Sequence, residues 1–169
     1  MSESDSVSFI LTGPTAARDI ARVLRAYFVE IGAPFDGDSI VFNDIGGEEK
    51  DPVDVPTEGA GWERLLAWPG LGGLTYRLAH ARVSVFLYGA NAYAVDYVIL
   101  SVKSYIPGDE VERAFHLVTE QLHERLNAAR SMVKFMLFDG SFPMAEEVER
   151  VRAGIFEGEY EKDLRRPPP

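Results

Sequence analysis

Cysteine is absent from the chain, which excludes a disulfide framework, thiol catalysis and thiolate metal sites. Other signatures are missing too. Neither Gly-x-x-x-x-Gly-Lys-Ser/Thr nor Gly-x-Gly-x-x-Gly occurs, so neither phosphate-cradling glycine motif is present. No Gly-x-Ser-x-Gly elbow accompanies the serines, and no His-Glu-x-x-His accompanies the three histidines. The ligand order of an EF-hand loop is absent as well. Met1 to Ser6 carries acids and serines instead of a basic segment followed by an apolar one, so the expectation is a cytoplasmic protein.

Positive charge is scarce. Seventeen Lys and Arg stand against 27 Asp and Glu, for a net charge of −10 and a pI near 4.8. A surface with that balance repels phosphate backbones and forgoes the counterion release that drives nucleic-acid binding. Direct binding of DNA or RNA is not expected. The same charge would steer the protein toward a basic partner.

What is present suits one folded domain. At 169 residues, 46% apolar and 26% charged, the chain is long enough to bury a core without metals or disulfides. The most strand-like stretch runs from Arg82 to Tyr105. Val83 to Val102 has the length of a membrane span with a single charged side chain, Asp96. Its composition is β-branched and aromatic, and Gly89-Ala90-Asn91 breaks it near the middle. Val83, Val85 and Leu87 share one face of the first half, and Val98, Leu100 and Val102 one face of the second. Period two predicts a β-hairpin at the centre of a sheet, with no membrane helix.

Around the hairpin, Val7 to Leu11 reads as a strand stopped at Gly13-Pro14. A helix is predicted from Pro14, with Ala16, Ile20, Val23, Leu24, Tyr27 and Ile31 as its buried stripe and Gly32 as its end. Ser39 to Asn43 follows as a strand, Trp62 to Trp68 as a short helix and Leu74 to Ala79 as a strand. The clearest helix is Asp109 to Ala129, with a stripe of Val111, Phe115, Val118, Leu122, Leu126 and Ala129 and with Arg130 at its negative end. Met132 to Phe138 is a strand, and Met144, Val148, Val151 and Ile155 mark a last helix. Residues 1–6 and 158–169 are expected to be flexible tails. The whole chain, 1–169, is therefore read as a single α+β domain. Its mixed or largely antiparallel sheet, with the hairpin at its centre, is covered by two or three amphipathic helices.

Functional expectations rest on a few stretches. Residues 44–61 form a loop rich in proline and glycine, with Asp44, Glu48, Glu49, Asp51, Asp54 and Glu58 against Lys50 alone. With Trp62 and Trp68 beside it, the loop has charge for encounter and aromatics for anchoring a basic protein surface. His116, Glu120 and His123, spaced by four and three, fall on one side of a helix opposite the apolar stripe, where they are a weak candidate metal set in solvent. Asp96 shares a parity with Val98, Leu100 and Val102, and His80 lies near a strand end. Either would be the acid or base of a small enzyme, or of a small-molecule binder, with a pocket between sheet and helices. The Gly13-Pro14-Thr15 corner has the amides to hold an anion but none of the nucleotide motifs. No motif calls for a cofactor.

No residue-level family signature is present. The general profile (small, acidic, cysteine-free, α+β, without a catalytic motif) is similar to that of many immunity and antitoxin proteins that block a basic toxin. What it implies is a non-catalytic binding protein with a basic protein partner.

Overall fold

A computed structural model describes residues 3–36, 39–43, 53–67, 71–78, 81–89, 95–104, 109–134 and 162–165. In order along the chain these form β1 (Glu3–Thr15), α1 (Ala17–Glu30), β2 (Ser39–Asn43), β3 (Val53–Asp54), α2 (Glu58–Ala67), β4 (Leu71–Leu78), β5 (Ala81–Gly89), β6 (Val95–Ser104), α3 (Asp109–Arg125), β7 (Ala128–Lys134) and β8 (Lys162–Arg165). The strands make one sheet in the order β3-β2-β4-β5-β6-β1-β7-β8, and every neighbouring pair is antiparallel. The fold is α+β, as its sequence pattern indicates.

The β5–β6 hairpin holds the middle of the sheet. Val83 stands opposite Val102, Val85 opposite Leu100 and Leu87 opposite Val98, which places the two apolar sets on one face. β1 pairs with β6 next, setting Val7 against Leu100 and Phe9 against Val98. This face carries the helices. Trp62 of α2 bonds to Tyr76 of β4 and His123 of α3 to Ser131 of β7, while Phe28 of α1 stacks on Tyr76. α1 also joins its neighbours directly, through Arg25–Glu58 to α2 and Tyr27–Gln121 to α3. Phe9, Leu24, Tyr27, Phe28, Trp62, Tyr76 and Leu100 fill the interlayer space, each less than 2% exposed. Ser8 and Ile10 are buried as well, so β1 is covered on both faces.

Several boundaries differ from the sequence expectation. β1 does not stop at Gly13-Pro14. Its register shifts after Ile10, and Thr15 still pairs with Val95, so Pro14 lies in the irregular end of a strand. α1 begins three residues later, capped by Ala16 without a side-chain bond and with Asp19 in its first turn. Its buried face is Ala17, Ile20, Ala21, Leu24, Tyr27 and Phe28, rotated from the predicted stripe, with Val23 and Ile31 only partly covered. The end at Gly32 is as predicted. Gly32 adopts φ +70°, its N–H bonds to Val29 O (3.1 Å) and the Ala33 N–H bonds to Phe28 O (2.8 Å), a Schellman closure.

α3 ends at Arg125, and Asn127 in the left-handed region (φ 53°) turns the chain into β7. Arg130 consequently lies within β7, buried, instead of at the helix end. The two ends of the chain, expected as tails, contribute paired strand. Glu3 to Ser6 lies opposite Ser101 to Ser104, and β8 pairs with β7. The helix expected around Met144 to Ile155 lies outside the described residues, as does most of the strand expected over Met132 to Phe138.

Candidate functional site

The acidic stretch is held between paired elements. β2 and β3 are antiparallel, with Ser39 opposite Asp54 and Ile40 opposite Val53, and β3 is the last strand at that edge of the sheet. Glu48, Glu49 and Asp51 lie outside the described residues, as does Trp68. Asp54 lies on the edge strand, exposed, and makes no ion pair among the described residues.

Residues 44–61 are not all loop. After β3, Thr57 caps α2: its Oγ1 accepts a bond from the Ala60 N–H (3.1 Å). Glu58 is therefore the first residue of a helix, where its charge suits the positive end of the dipole. It pairs with Arg25 of α1 at 2.9 Å, so it is engaged within the fold instead of being offered to a partner.

Trp62 also departs from expectation. Its ring is 1% exposed and its Nε1–H donates to Tyr76 Oη at 2.8 Å. The Tyr76 ring in turn stacks on Phe28, centroids 4.1 Å apart. Burial raises the Tyr76 hydroxyl far above the ordinary tyrosine range, keeping it protonated. Trp62 is thus a core anchor that seats α2 on the sheet. A short amphipathic helix must bury one face, and its largest apolar side chain takes that role.

The histidine set is not assembled in solvent. His123 is 5% exposed and its Nδ1 lies 2.6 Å from Ser131 Oγ of β7, whereas Glu120 is exposed and His116 only partly covered. The reason lies in the width of the buried arc. Thr119 and His123 each follow a stripe residue, Val118 and Leu122, by one position and are buried with them. Among the described residues no group of three His, Asp or Glu side chains is placed to hold a metal ion. At the Gly13-Pro14-Thr15 corner, the Thr15 hydroxyl donates to the Gly13 carbonyl at 3.0 Å. His80 and the side chain of Asp96 lie outside the described residues. Among those residues no helix is long and apolar enough to cross a membrane.

One cluster went unnoticed in the sequence. Arg77 of β4 and Arg82 of β5 stand directly opposite each other, and Asp36 bridges them. Asp36 Oδ1 is 3.1 Å from Arg77 Nη2 and Oδ2 is 3.3 Å from Arg82 Nε, while its backbone carbonyl accepts from Arg82 Nη2. Asp36 reaches the arginines because residues 34–36 pair with β4 on the side that also carries β2. Phe35 bridges Tyr76, the Asp36 N–H bonds to Thr75 O and the Arg77 N–H bonds to Pro34 O. A signal was available: a strand ending at Leu78 that pairs with one beginning at Ala81 sets Arg77 opposite Arg82.

No family model matches the chain, and no curated protein matches it. Among solved structures, it is similar to a chain in the 1.75 Å crystal structure of the toxic C-terminal tip of CdiA from Pseudomonas aeruginosa in complex with immune protein. Identity is 13%, with a TM-score of 0.44 over 80% of this chain and 87% of that one, a likeness too slight to carry a conclusion about fold or function.

Proposed function

We propose that this protein works by binding another protein, and that the acidic stretch between β2 and α2 meets a basic surface on that partner, as in an immunity or antitoxin protein that blocks a basic toxin. The observation behind this reading is the concentration of Asp44, Glu48, Glu49, Asp51 and Asp54 against Lys50 alone, in a chain already at −10. Clustered charge of one sign accelerates encounter with its complement and sets the register of the complex. Glu58 and Trp62 support the contact from behind: the ion pair to Arg25 and the bond to Tyr76 fix the helix on which the stretch ends. Trp68 is the remaining aromatic for the contact itself. The alternative, a ligand pocket between sheet and helices, gains nothing from an interlayer space filled by Tyr27, Phe28, Trp62 and Tyr76.

The test is capture of partners from the native cells at low and moderate salt, with the wild type beside a variant carrying Glu48→Gln, Glu49→Gln, Asp51→Asn and Asp54→Asn. A stoichiometric basic protein should be retained by the wild type. For that pair, association should slow about tenfold or more at low salt in the variant, with a flatter salt dependence. Equal association rates for the two forms would remove the acidic stretch from the contact.

A further inference from the structure

Among the described residues two large apolar side chains stand in solvent, Val29 of α1 and Leu117 of α3, 77% and 54% exposed. Each lies in a line of charged residues. On α1, Arg18, Arg22, Arg25 and Val29 follow at intervals of four, three and four, and all four are exposed. That spacing sets them along one side of the helix, away from its buried face. On α3 the exposed line is Arg113, Leu117, Glu120 and Glu124, at the same intervals, and it lies opposite Phe115, Val118 and Leu122.

The two lines match in spacing and in charge. Laid antiparallel with Val29 on Leu117, they bring Arg22 to Glu124, because each charge stands seven residues, about 10.5 Å of helix, from its apolar residue. Arg25 then falls beside Glu120, and Arg18 passes beyond the last turn of α3, at the negative end of its dipole. A parallel arrangement would set Arg25 against Arg113, like charge on like. At the shallow crossing of bundle helices, a run this short stays in contact along its length. Arg22 and Arg25 each have one carboxylate already, Asp19 at 3.5 Å and Glu58 at 2.9 Å, but a guanidinium has five donors and both side chains remain at the surface.

We infer that the outer faces of α1 and α3 form a docking site for a second copy of this chain, α1 of each copy lying antiparallel on α3 of the other. Both halves of the contact belong to one chain and to one helical layer, in which Tyr27–Gln121 and Glu30–Arg125 join α1 to α3. A two-fold axis therefore makes every contact twice. The doubled contact covers Val29 and Leu117 in both copies and adds the pairs Arg22–Glu124 and Arg25–Glu120 on each side of the axis. The net charge of −10 opposes association, but at 0.15 M salt it is largely screened beyond about 8 Å, whereas pairs in contact are not. The dimer is thus expected to form as protein concentration rises. None of this depends on the acidic stretch or on its partner.

The absence of cysteine makes the test direct. Full-length Val29→Cys and Leu117→Cys, one of them carrying a size tag, are mixed in equal amounts at 0.15 M salt and mildly oxidised. Both positions are exposed, so neither change should disturb folding. The mixed disulfide should exceed either symmetrical one well beyond the ratio that random pairing gives, since Val29 meets Leu117 and not itself. Sedimentation of the wild type should show a monomer–dimer equilibrium. Arg22→Glu should raise its dissociation constant at least tenfold, because the substitution acts at two symmetric places. Arg22→Glu/Glu124→Arg exchanges the signs and should recover most of that loss, which a misfolded variant would not do. A wild type that stays monomeric at millimolar concentration, disulfides formed at random, or a double variant no tighter than the single would each overturn the inference. Cross-linking of Leu117→Cys to a different protein in the native cells, with the purified chain monomeric, would give the face to that partner and likewise overturn it.

Discussion

His123 and Ser131 show how one side chain decides what a patch of sequence can do. A histidine one position off the apolar stripe looks solvated on a helical wheel, yet α3 packs against both the sheet and the rest of the helical layer, and its buried arc widens to include that position. Once inside, the imidazole needs a partner, and Ser131, less than 1% exposed and 2.6 Å away, provides it. Truncating either member leaves the other buried with this bond unmade, which costs about 1–3 kcal/mol. Ser131→Ala should therefore lower unfolding free energy by that amount in urea titration. His123→Ala, which also opens a cavity, should cost more, and the double variant should cost less than the two single losses added together. Additive losses would mean that the pair is not coupled.

At the scale of elements, close approach and pairing dominate. A Cβ built on Gly73 of β4 would lie 2.4 Å from Val85 O and 2.5 Å from a ring carbon of Phe86, its partner across β4–β5. The Phe86 ring occupies the space that a Cβ on that glycine would need. Gly73→Ala should therefore push strand or ring aside, destabilising by about 1–3 kcal/mol, the range for overpacking. Thermal unfolding would show it, and an unchanged midpoint would mean that the ring moves freely.

Between helices, Tyr27 of α1 donates to Gln121 of α3 at 2.7 Å and lies 5.0 Å beneath the Arg125 guanidinium, which also pairs with Glu30. Burial pushes the Tyr27 hydroxyl up to about 12. In the unfolded chain it ionises near 10, so the unfolded state loses its proton first. The contribution of Tyr27 is complete below pH 10 and disappears as pH rises from 10 to 12. Tyr27→Phe should flatten that part of the alkaline stability curve, leaving a later fall from Tyr76. The Arg125 bond holds the Glu30 carboxyl below its ordinary range, which adds stability above pH 4.5 that disappears on acidification. That pair lies at the surface, about half exposed, and its effect is small.

The elements also show what a sequence can convey. Period two across Val83 to Leu87 and Val98 to Val102 was enough to set the central hairpin, because each strand has only two faces and both carry side chains of contrasting polarity. Gly32 was legible as a helix end, since only glycine enters the left-handed region without cost. Pro14 misled because its local preference for a helix start competed with the pairing of Thr15 and Val95, a contact eighty residues distant in the chain. Trp62 misled similarly: its neighbours are acidic, but its indole N–H is claimed by Tyr76 from another element. Side chains whose place depends on a distant strand cannot be assigned from neighbours alone.

For the molecule as a whole, the ruling quantity is the uneven distribution of charge. A net −10 implies self-repulsion in the compact state, which salt screens over a Debye length of about 10 Å at 0.1 M. Raising sodium chloride from 20 to 200 mM should therefore raise the unfolding midpoint slightly, even as the internal pairs Arg25–Glu58 and Arg125–Glu30 weaken, because exposed pairs contribute less than about 1 kcal/mol each. Association with a basic partner should respond in the opposite direction, slowing over the same range as steering is screened. The variant neutralised at Glu48, Glu49, Asp51 and Asp54 has a net charge of −6 and should lose most of both responses together. Stability and association would then trace to the same local concentration of acid. A variant that lost the association response but kept the stabilising one would place the repulsion elsewhere on the surface, leaving the acidic stretch with a role in recognition alone.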